Sequence, residues 1–226
     1  MNKLPLLILC AGFGSRMLNL TKDTPKPLLK FHNKTLLGNT IEFFKDIGFS
    51  EFFINTHYLH EKIQAYIDNQ YSNYPINIIY EPTILGTGGA IKNTFACTNS
   101  NNICVVNADV FWQINNKLDI SNFLEDYNDI DYCKILLSKK NNFIGLKNTT
   151  GDFIIENENV VKWSQGKEII FYTGFQIVSK NIFKNTNKIF SMNKIWDNLI
   201  SEKKLRGSLT KSKILHIGDK NSYDML

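Results

Sequence analysis

Cysteine is scarce and its spacing carries no pattern. Cys10, Cys97, Cys104 and Cys133 form no C-x-x-C pair, which argues against a redox or zinc motif. Each stands in an apolar or helix-like stretch, so all four are expected to be buried, reduced thiols. Long hydrophobic runs are also missing. The N-terminal one, Leu4 to Ala11, is too short to cross a bilayer and passes straight into a glycine loop. Neither a membrane span nor a signal peptide is expected, and the cytoplasm is the expected compartment. Charge of one sign is not in great excess: 26 Lys and Arg stand against 21 Asp and Glu, a net +5 spread along the chain with no basic stripe. That argues against nucleic-acid binding and suits small anionic substrates. Linkers, repeats and low-complexity segments are absent, which points to one domain over 1–226.

What is present is enough to build a core, since 43% of residues are hydrophobic and 12% aromatic. The apolar run Leu6–Cys10 predicts a buried strand. Leu36, Leu37, Ile41, Phe44 and Ile47 set a helical stripe over Thr35–Ile47 that stops at Gly48. Strands are expected at Glu51–Asn55, Ile76–Tyr80 and Ile103–Asn107, with a helix over His57–Asn69 and a glycine loop at Gly86–Gly89 before a short helix from Ala90. Strand and helix alternating with short links predict a right-handed parallel α/β sheet. From Tyr132 onward short strands dominate: Cys133–Ser138, Phe143–Leu146, Phe153–Glu156, Val160–Trp163, Ile169–Val178 and, after helices at Lys180–Lys184 and Lys194–Lys203, Lys213–Ile217. The expectation is a Rossmann-like three-layer α/β/α fold with a mixed, mainly parallel central sheet. A nucleotide-binding half (1–130) would be continued by a sugar-binding half (131–226).

The first loop carries the chemistry. Gly12 and Gly14 follow a strand, so backbone N–H groups from Ala11 through Ser15 can approach phosphate oxygens closely. The dinucleotide fingerprint would need a third glycine at Met17, and a P-loop would need Gly-Lys-Ser/Thr; neither is there. Arg16 stands in the loop instead, and ten residues on Lys26 is held between Pro25 and Pro27. Two cations bracketing a glycine loop suit a triphosphate attacked at its α-phosphorus: Arg16 would hold the departing pyrophosphate, and Lys26 would neutralise the reacting oxygens. Asp109, just past an apolar strand, sits where a parallel sheet binds ligands and where magnesium would find a carboxylate.

The string Gly12-x-Gly14-x-Arg16-Met17-x-x-Leu20-Thr21-x-x-x-Pro25-Lys26-Pro27-Leu28 resembles the signature of the sugar nucleotidyltransferase (nucleotidyl pyrophosphorylase) family. Glu81-Pro82-x-x-x-Leu85-Gly86-Thr87-Gly88-Gly89-Ala90 resembles that family's second glycine loop, which lies along the base and ribose. Val105-Val106-Asn107-Ala108-Asp109 resembles its magnesium-binding strand end. The resemblance implies a nucleotide held by Ala11, Gly12, Gly14, Ser15, Gly86, Gly88 and Gly89, a sugar 1-phosphate held near Asn107, Gly145, Asp152, Thr173 and Gly174, and catalysis by Arg16, Lys26 and Asp109. Tyr172-Thr173-Gly174-Phe175 matches the strand on which the family's sugar rests, whereas Trp163 and Trp196 are expected in the core. Within the family, Ile54-Asn55-Thr56-His57-Tyr58-Leu59 and Gly151-Asp152-Phe153 look most like N-acetylmuramate-1-phosphate uridylyltransferases, with mannose-1-phosphate guanylyltransferases close behind.

One departure stands out. The family's Asp-Val-Gly-Thr is replaced by His216-Ile217-Gly218-Asp219, so His216 occupies the place of a second metal-binding Asp. Imidazole suits manganese better than magnesium. The cofactor expected is Mg²⁺, with Mn²⁺ as the alternative. The partners expected are a nucleoside triphosphate and a sugar 1-phosphate, bound by a monomer or dimer without nucleic acid or membrane. The rival readings are a GTP-using mannose- or heptose-1-phosphate guanylyltransferase, a phosphocholine cytidylyltransferase and a non-catalytic nucleotide-binding regulatory module.

Overall fold

The computed structural model describes residues 4–128, 132–145, 151–156, 161–164 and 170–226. The first half runs β1 (Leu6–Leu9), a hairpin of β2 (Lys30–Phe31) and β3 (Lys34–Thr35), α1 (Leu36–Asp46), β4 (Phe52–Thr56), α2 (His60–Gln70), β5 (Ile76–Tyr80), α3 (Gly86–Thr94), β6 (Asn102–Asn107), β7 (Val110–Phe111) and α4 (Asn116–Glu125). The second half runs β8 (Cys133–Lys139), β9 (Phe143–Ile144), β10 (Phe153–Ile155), β11 (Val161–Trp163), β12 (Ile170–Ser179), α5 (Asn193–Ser201), β13 (Leu205–Leu209), β14 (Ile214–His216) and α6 (Lys220–Met225).

The unbroken apolar strands find both faces covered, as parallel strands require. All five residues of β4 are buried. In β1, Leu6 and Ile8 join one core with Leu37, Ile41 and Phe44 of α1 and Ile120 and Phe123 of α4. Leu7 turns to the other core, with Ile91 of α3 and Trp196 and Leu199 of α5. This is the three-layer α/β/α arrangement the sequence predicts.

The strands lie in the order β5-β4-β1-β6-β12, with β8 and β13 continuing beyond β12 and β10 and β11 beside its beginning. Strands β5, β4, β1 and β6 are mutually parallel; β12 runs antiparallel to both β6 and β8, and β13 is parallel to β8. The chain therefore winds one way from β1 through β4 and β5, then returns to the other side of β1 as β6. The crevice beyond the carboxyl ends of β1 and β6 is the topological switch point, where open α/β sheets bind ligands.

The structure corrects several expectations. Gly86–Gly89 is the first turn of α3 rather than a loop, because the Phe190 carbonyl accepts the otherwise orphaned N–H groups of Gly88 (3.0 Å) and Gly89 (3.2 Å). Cys97 is exposed, whereas Cys10, Cys104 and Cys133 are buried. Elements that escape the sequence pattern include the hairpin of β2 and β3, α4, β13, the tight strand β7, and α6, which starts at a capping box of Asp219 and Ser222. Leu146, Val160 and Ile169, expected in strands, lie outside the described residues. β14 pairs with β7 and β9 in a small separate sheet, which sets His216 opposite Val110 and lets the Ile217 N–H donate to the Asp109 carbonyl at 2.8 Å.

Candidate active site

The turn after β1 is shaped by two glycines with different duties. A side chain at Gly12 would meet nothing within 4 Å, so its face is open to the cleft. Gly14 adopts φ +67° and packs against Lys26 and Thr21, where a Cβ would lie 3.0 Å from each side chain. The Thr21 hydroxyl donates to the Gly14 carbonyl at 3.0 Å and closes the loop. Ala11, Gly12, Gly14, Ser15, Arg16, Lys26, Gly86, Asn107 and Asp109 all line one cleft of about 390 Å³ at the switch point.

Its centre is an ion pair. Lys26 Nζ donates to Asp109 Oδ2 at 2.7 Å and to the Gly218 carbonyl at 3.3 Å, which ties the first loop, the end of β6 and the turn after β14 together. Pro25 and Pro27 hold the Lys26 backbone in place beneath it. His216 Nε2 stands 3.7 Å from the same carboxylate oxygen. Burial pushes the Asp109 carboxyl up, but Lys26, His216 and Arg16 together outweigh it and hold the group below the usual range, ionised. Burial lowers the His216 imidazole, and Lys26 and Arg16 add to this against the pull of Asp109, so His216 is neutral near pH 7. Cys10 also lines the cleft, yet burial first and Asp109 second push its thiol far up, which removes it as a nucleophile.

Asp109 Oδ1 and His216 Nδ1 are buried and without a hydrogen-bond partner among the described residues. Magnesium commonly takes one or two carboxylates and completes its shell with substrate phosphates and water, and Asp109 Oδ1 offers one such oxygen. No group of three His, Cys, Asp or Glu able to hold a metal unaided occurs among the described residues. Asp109 Oδ1 thus fits a magnesium ion whose remaining ligands are substrate phosphates and water.

Other predicted residues fall elsewhere. Gly88 and Gly89 do not line the cleft; they pack on Phe190 and Lys188. Thr173 is fully buried and its hydroxyl donates to the Leu136 carbonyl at 2.9 Å. Gly174, at φ +88° in the irregular stretch of β12, brings the chain against Asn107: a Cβ there would lie 3.2 Å from the Asn107 Cβ. Gly145 backs onto the His216 carbonyl. Asp152 Oδ2 accepts from the Tyr172 N–H at 3.2 Å, and burial raises its carboxyl despite that bond and the nearby His216. Trp196 is buried and Trp163 stacks on Phe153 with ring centroids 4.6 Å apart, both serving the core. Several cleft residues were not singled out as site residues from sequence, among them Asn55, Glu81, Thr87 and Gly218. Asn55 had a signal, a polar residue near the end of the apolar strand β4.

A glycine-cornered cleft at the switch point, with a lysine–aspartate pair in it and an arginine at its rim, defines a protein that handles a phosphorylated nucleotide. Residues 6–142, more than half of the chain, match the family model described as nucleotidyl transferase, and the chain belongs to that family: it is a nucleotidyltransferase. It is 30% identical over 79% of its length to D-glycero-alpha-D-manno-heptose 1-phosphate guanylyltransferase of Campylobacter jejuni, covering 77% of that protein. The match to the Aneurinibacillus thermoaerophilus protein of the same name is 33% identical but spans about half of each, 48% of this chain and 47% of that one. Similarity to N-acetylmuramate alpha-1-phosphate uridylyltransferase of Caulobacter vibrioides is 25% over 94% of this chain and 91% of the relative. Among solved structures, HddC from Yersinia pseudotuberculosis complexed with GMP-PN superposes with a TM-score of 0.80 at 24% identity, over 99% of this chain and 97% of that one. At that identity the likeness bears on the fold alone. No helix among the described residues is long and apolar enough to cross a membrane.

Proposed function

We propose that the chain joins a nucleoside monophosphate unit to a sugar 1-phosphate: a phosphate oxygen of the sugar attacks the α-phosphorus of a nucleoside triphosphate, the bond to the β-phosphate breaks, and pyrophosphate leaves. The observation that carries this reading is Lys26, held between Asp109 and the Gly218 carbonyl beneath an open glycine turn. The attacking oxygen is already a competent nucleophile, so the protein's work is positioning and charge stabilisation. Backbone N–H groups of the Gly12–Ser15 turn receive phosphate oxygens, Arg16 meets the departing pyrophosphate, and Lys26 spreads the charge that develops at the α-phosphate. Magnesium, held by Asp109 with the substrate phosphates, would supply further charge neutralisation.

For the particular substrates we favour UTP with N-acetylmuramate 1-phosphate. Of the residues expected at the sugar, Gly145, Asp152, Thr173 and Gly174 lie in 131–226, and the likeness to the Caulobacter uridylyltransferase runs through nearly the whole chain. The higher identity to the two heptose 1-phosphate guanylyltransferases supports GTP with a heptose 1-phosphate as the second reading. Pyrophosphate release with four ribonucleoside triphosphates, crossed with N-acetylmuramate, mannose and heptose 1-phosphates in Mg²⁺ and in Mn²⁺, tests both. The expected result is fastest release with UTP and N-acetylmuramate 1-phosphate. A preference for GTP with heptose 1-phosphate would move the protein to the second reading, and bound nucleotide without release under any condition would overturn the enzymatic one.

A further inference from the structure

The carboxyl end of β4 takes no part in the chemistry described above, yet it touches both nucleotide-facing loops. Asn55 Oδ1 accepts from the Cys10 N–H at 2.9 Å, at the root of the first glycine turn. Asn55 Nδ2 donates to Glu81 Oε1 at 2.8 Å, and Glu81 Oε2 accepts from the Leu85 N–H at 2.9 Å, immediately before Gly86 and Thr87 at the start of α3. A second tie runs beside the first: His57 Nδ1 meets the Glu81 carbonyl at 2.7 Å, and its ring packs near-perpendicular to that of Phe13 with centroids 5.4 Å apart. Next to it, the Tyr58 hydroxyl donates to the carbonyls of Thr21 and Lys22 at 3.0 and 2.8 Å.

Asn55 is 4% exposed and Glu81 1%, and both line the cleft. A buried carboxylate is a costly way to fill a core, and an apolar pair of like volume would serve stability as well or better. What an apolar pair could not do is fix two separate backbone N–H groups, at residues 10 and 85, at a set distance from each other. Each of those N–H groups begins a stretch whose next backbone groups face the cleft.

We propose that Asn55 and Glu81 are positioning residues that set the spacing of the two nucleotide loops, with His57 as a parallel strut. The inference rests on the nucleotidyl-transfer reading, because it takes the nucleotide to lie across both loops. Neither residue exchanges a proton or forms a bond to substrate. Their effect runs through the placement of the Gly12–Ser15 turn and the start of α3, and a displacement of about 1 Å can cost on the order of 100-fold in rate.

The test is a polarity swap. Asn55→Asp alone sets two carboxylates against each other, and Glu81→Gln alone leaves one carbonyl oxygen to serve two donors. In the double variant N55D/E81Q the new amide at 81 donates to the new carboxylate at 55, so all three hydrogen bonds and the net charge are restored with the central donor reversed. Each single variant is expected to lower kcat/KM for the triphosphate by about 10- to 100-fold while leaving KM for the sugar 1-phosphate within about twofold of wild type. The double variant should recover to within about fivefold of wild type. Singles that match wild type, or a double variant no better than the worse single, would overturn the inference. If a single variant fails to fold, the double variant's kcat/KM still decides. Wild-type protein that releases no pyrophosphate would remove the functional reading instead. Nucleotide affinity measured by calorimetry in the same variants then tests the network by itself, with the same pattern of loss and recovery expected.

Discussion

Lys26 is the residue on which most of the site converges. It is fixed by prolines on both sides, bonded to a carboxylate 83 positions away and to a carbonyl 192 positions away. Lys26→Ala and Arg16→Ala should each cut kcat by about 100-fold or more, as removal of other preorganised charge stabilisers does, with the thermal midpoint little changed for the exposed Arg16. His216 gives a pH prediction. Its imidazole is lowered from its ordinary 6.5, so as pH falls the unfolded chain takes up the proton first. The stability associated with the neutral ring is full above pH 6.5 and is lost as pH falls from there through the folded-state value. In metal-free protein, His216→Asn should flatten that part of the melting-temperature curve; curves that stay parallel would show that another group is responsible. At this scale the sequence was legible where roles are local. Gly12, Arg16, Lys26 and Asp109 are announced by order and spacing, whereas Gly218 gains its place only from long-range contacts that a linear pattern does not encode, and Asn55 shows in the sequence only as a polar residue near the end of an apolar strand.

The elements show why identical residues deserve different readings. Gly12 and Gly89 both belong to glycine-bearing stretches that look alike in sequence, yet Gly12 faces open space and Gly89 lies against the Lys188 carbonyl, where a Cβ would come within 2.4 Å. Gly89→Ala should therefore cost about 1–3 kcal/mol of stability through overpacking against backbone. Gly12→Ala should change stability by about 0.5 kcal/mol or less while weakening nucleotide binding. Calorimetric unfolding and nucleotide titration of the two variants separate these outcomes, and equal destabilisation would contradict the assignment. Buried strands such as β1, β4 and β6 could be read because continuous apolar runs end in polar residues. Strand β13, Leu205-Arg206-Gly207-Ser208-Leu209, could not, because its pairing with β8 and the contact of Gly207 with Val161 and Leu137 supply what its own sequence lacks. The first turn of α3 was hidden for a related reason: its glycines are poor helix formers, and the Phe190 carbonyl that satisfies their donors lies a hundred residues away.

For the whole molecule, alternation of strand and helix gave the fold class, but not the reversed strand β12 or the small sheet of β7, β14 and β9. That small sheet carries His216 and Gly218 back to Asp109, so the cleft is completed by the turn after β14. The glycine turn after β1, the start of α3 and the turn after β14 line one cleft, as the proposed reaction of two substrates requires. The most direct test is to follow the α-phosphate itself. Wild-type protein given UTP labelled at the α-phosphate, N-acetylmuramate 1-phosphate and Mg²⁺ should move the label into a nucleotide sugar with one equivalent of pyrophosphate, and Lys26→Ala should do so about 100-fold more slowly or worse. Label that stays in the triphosphate with every sugar 1-phosphate offered, or a Lys26→Ala variant as fast as wild type, would contradict the account.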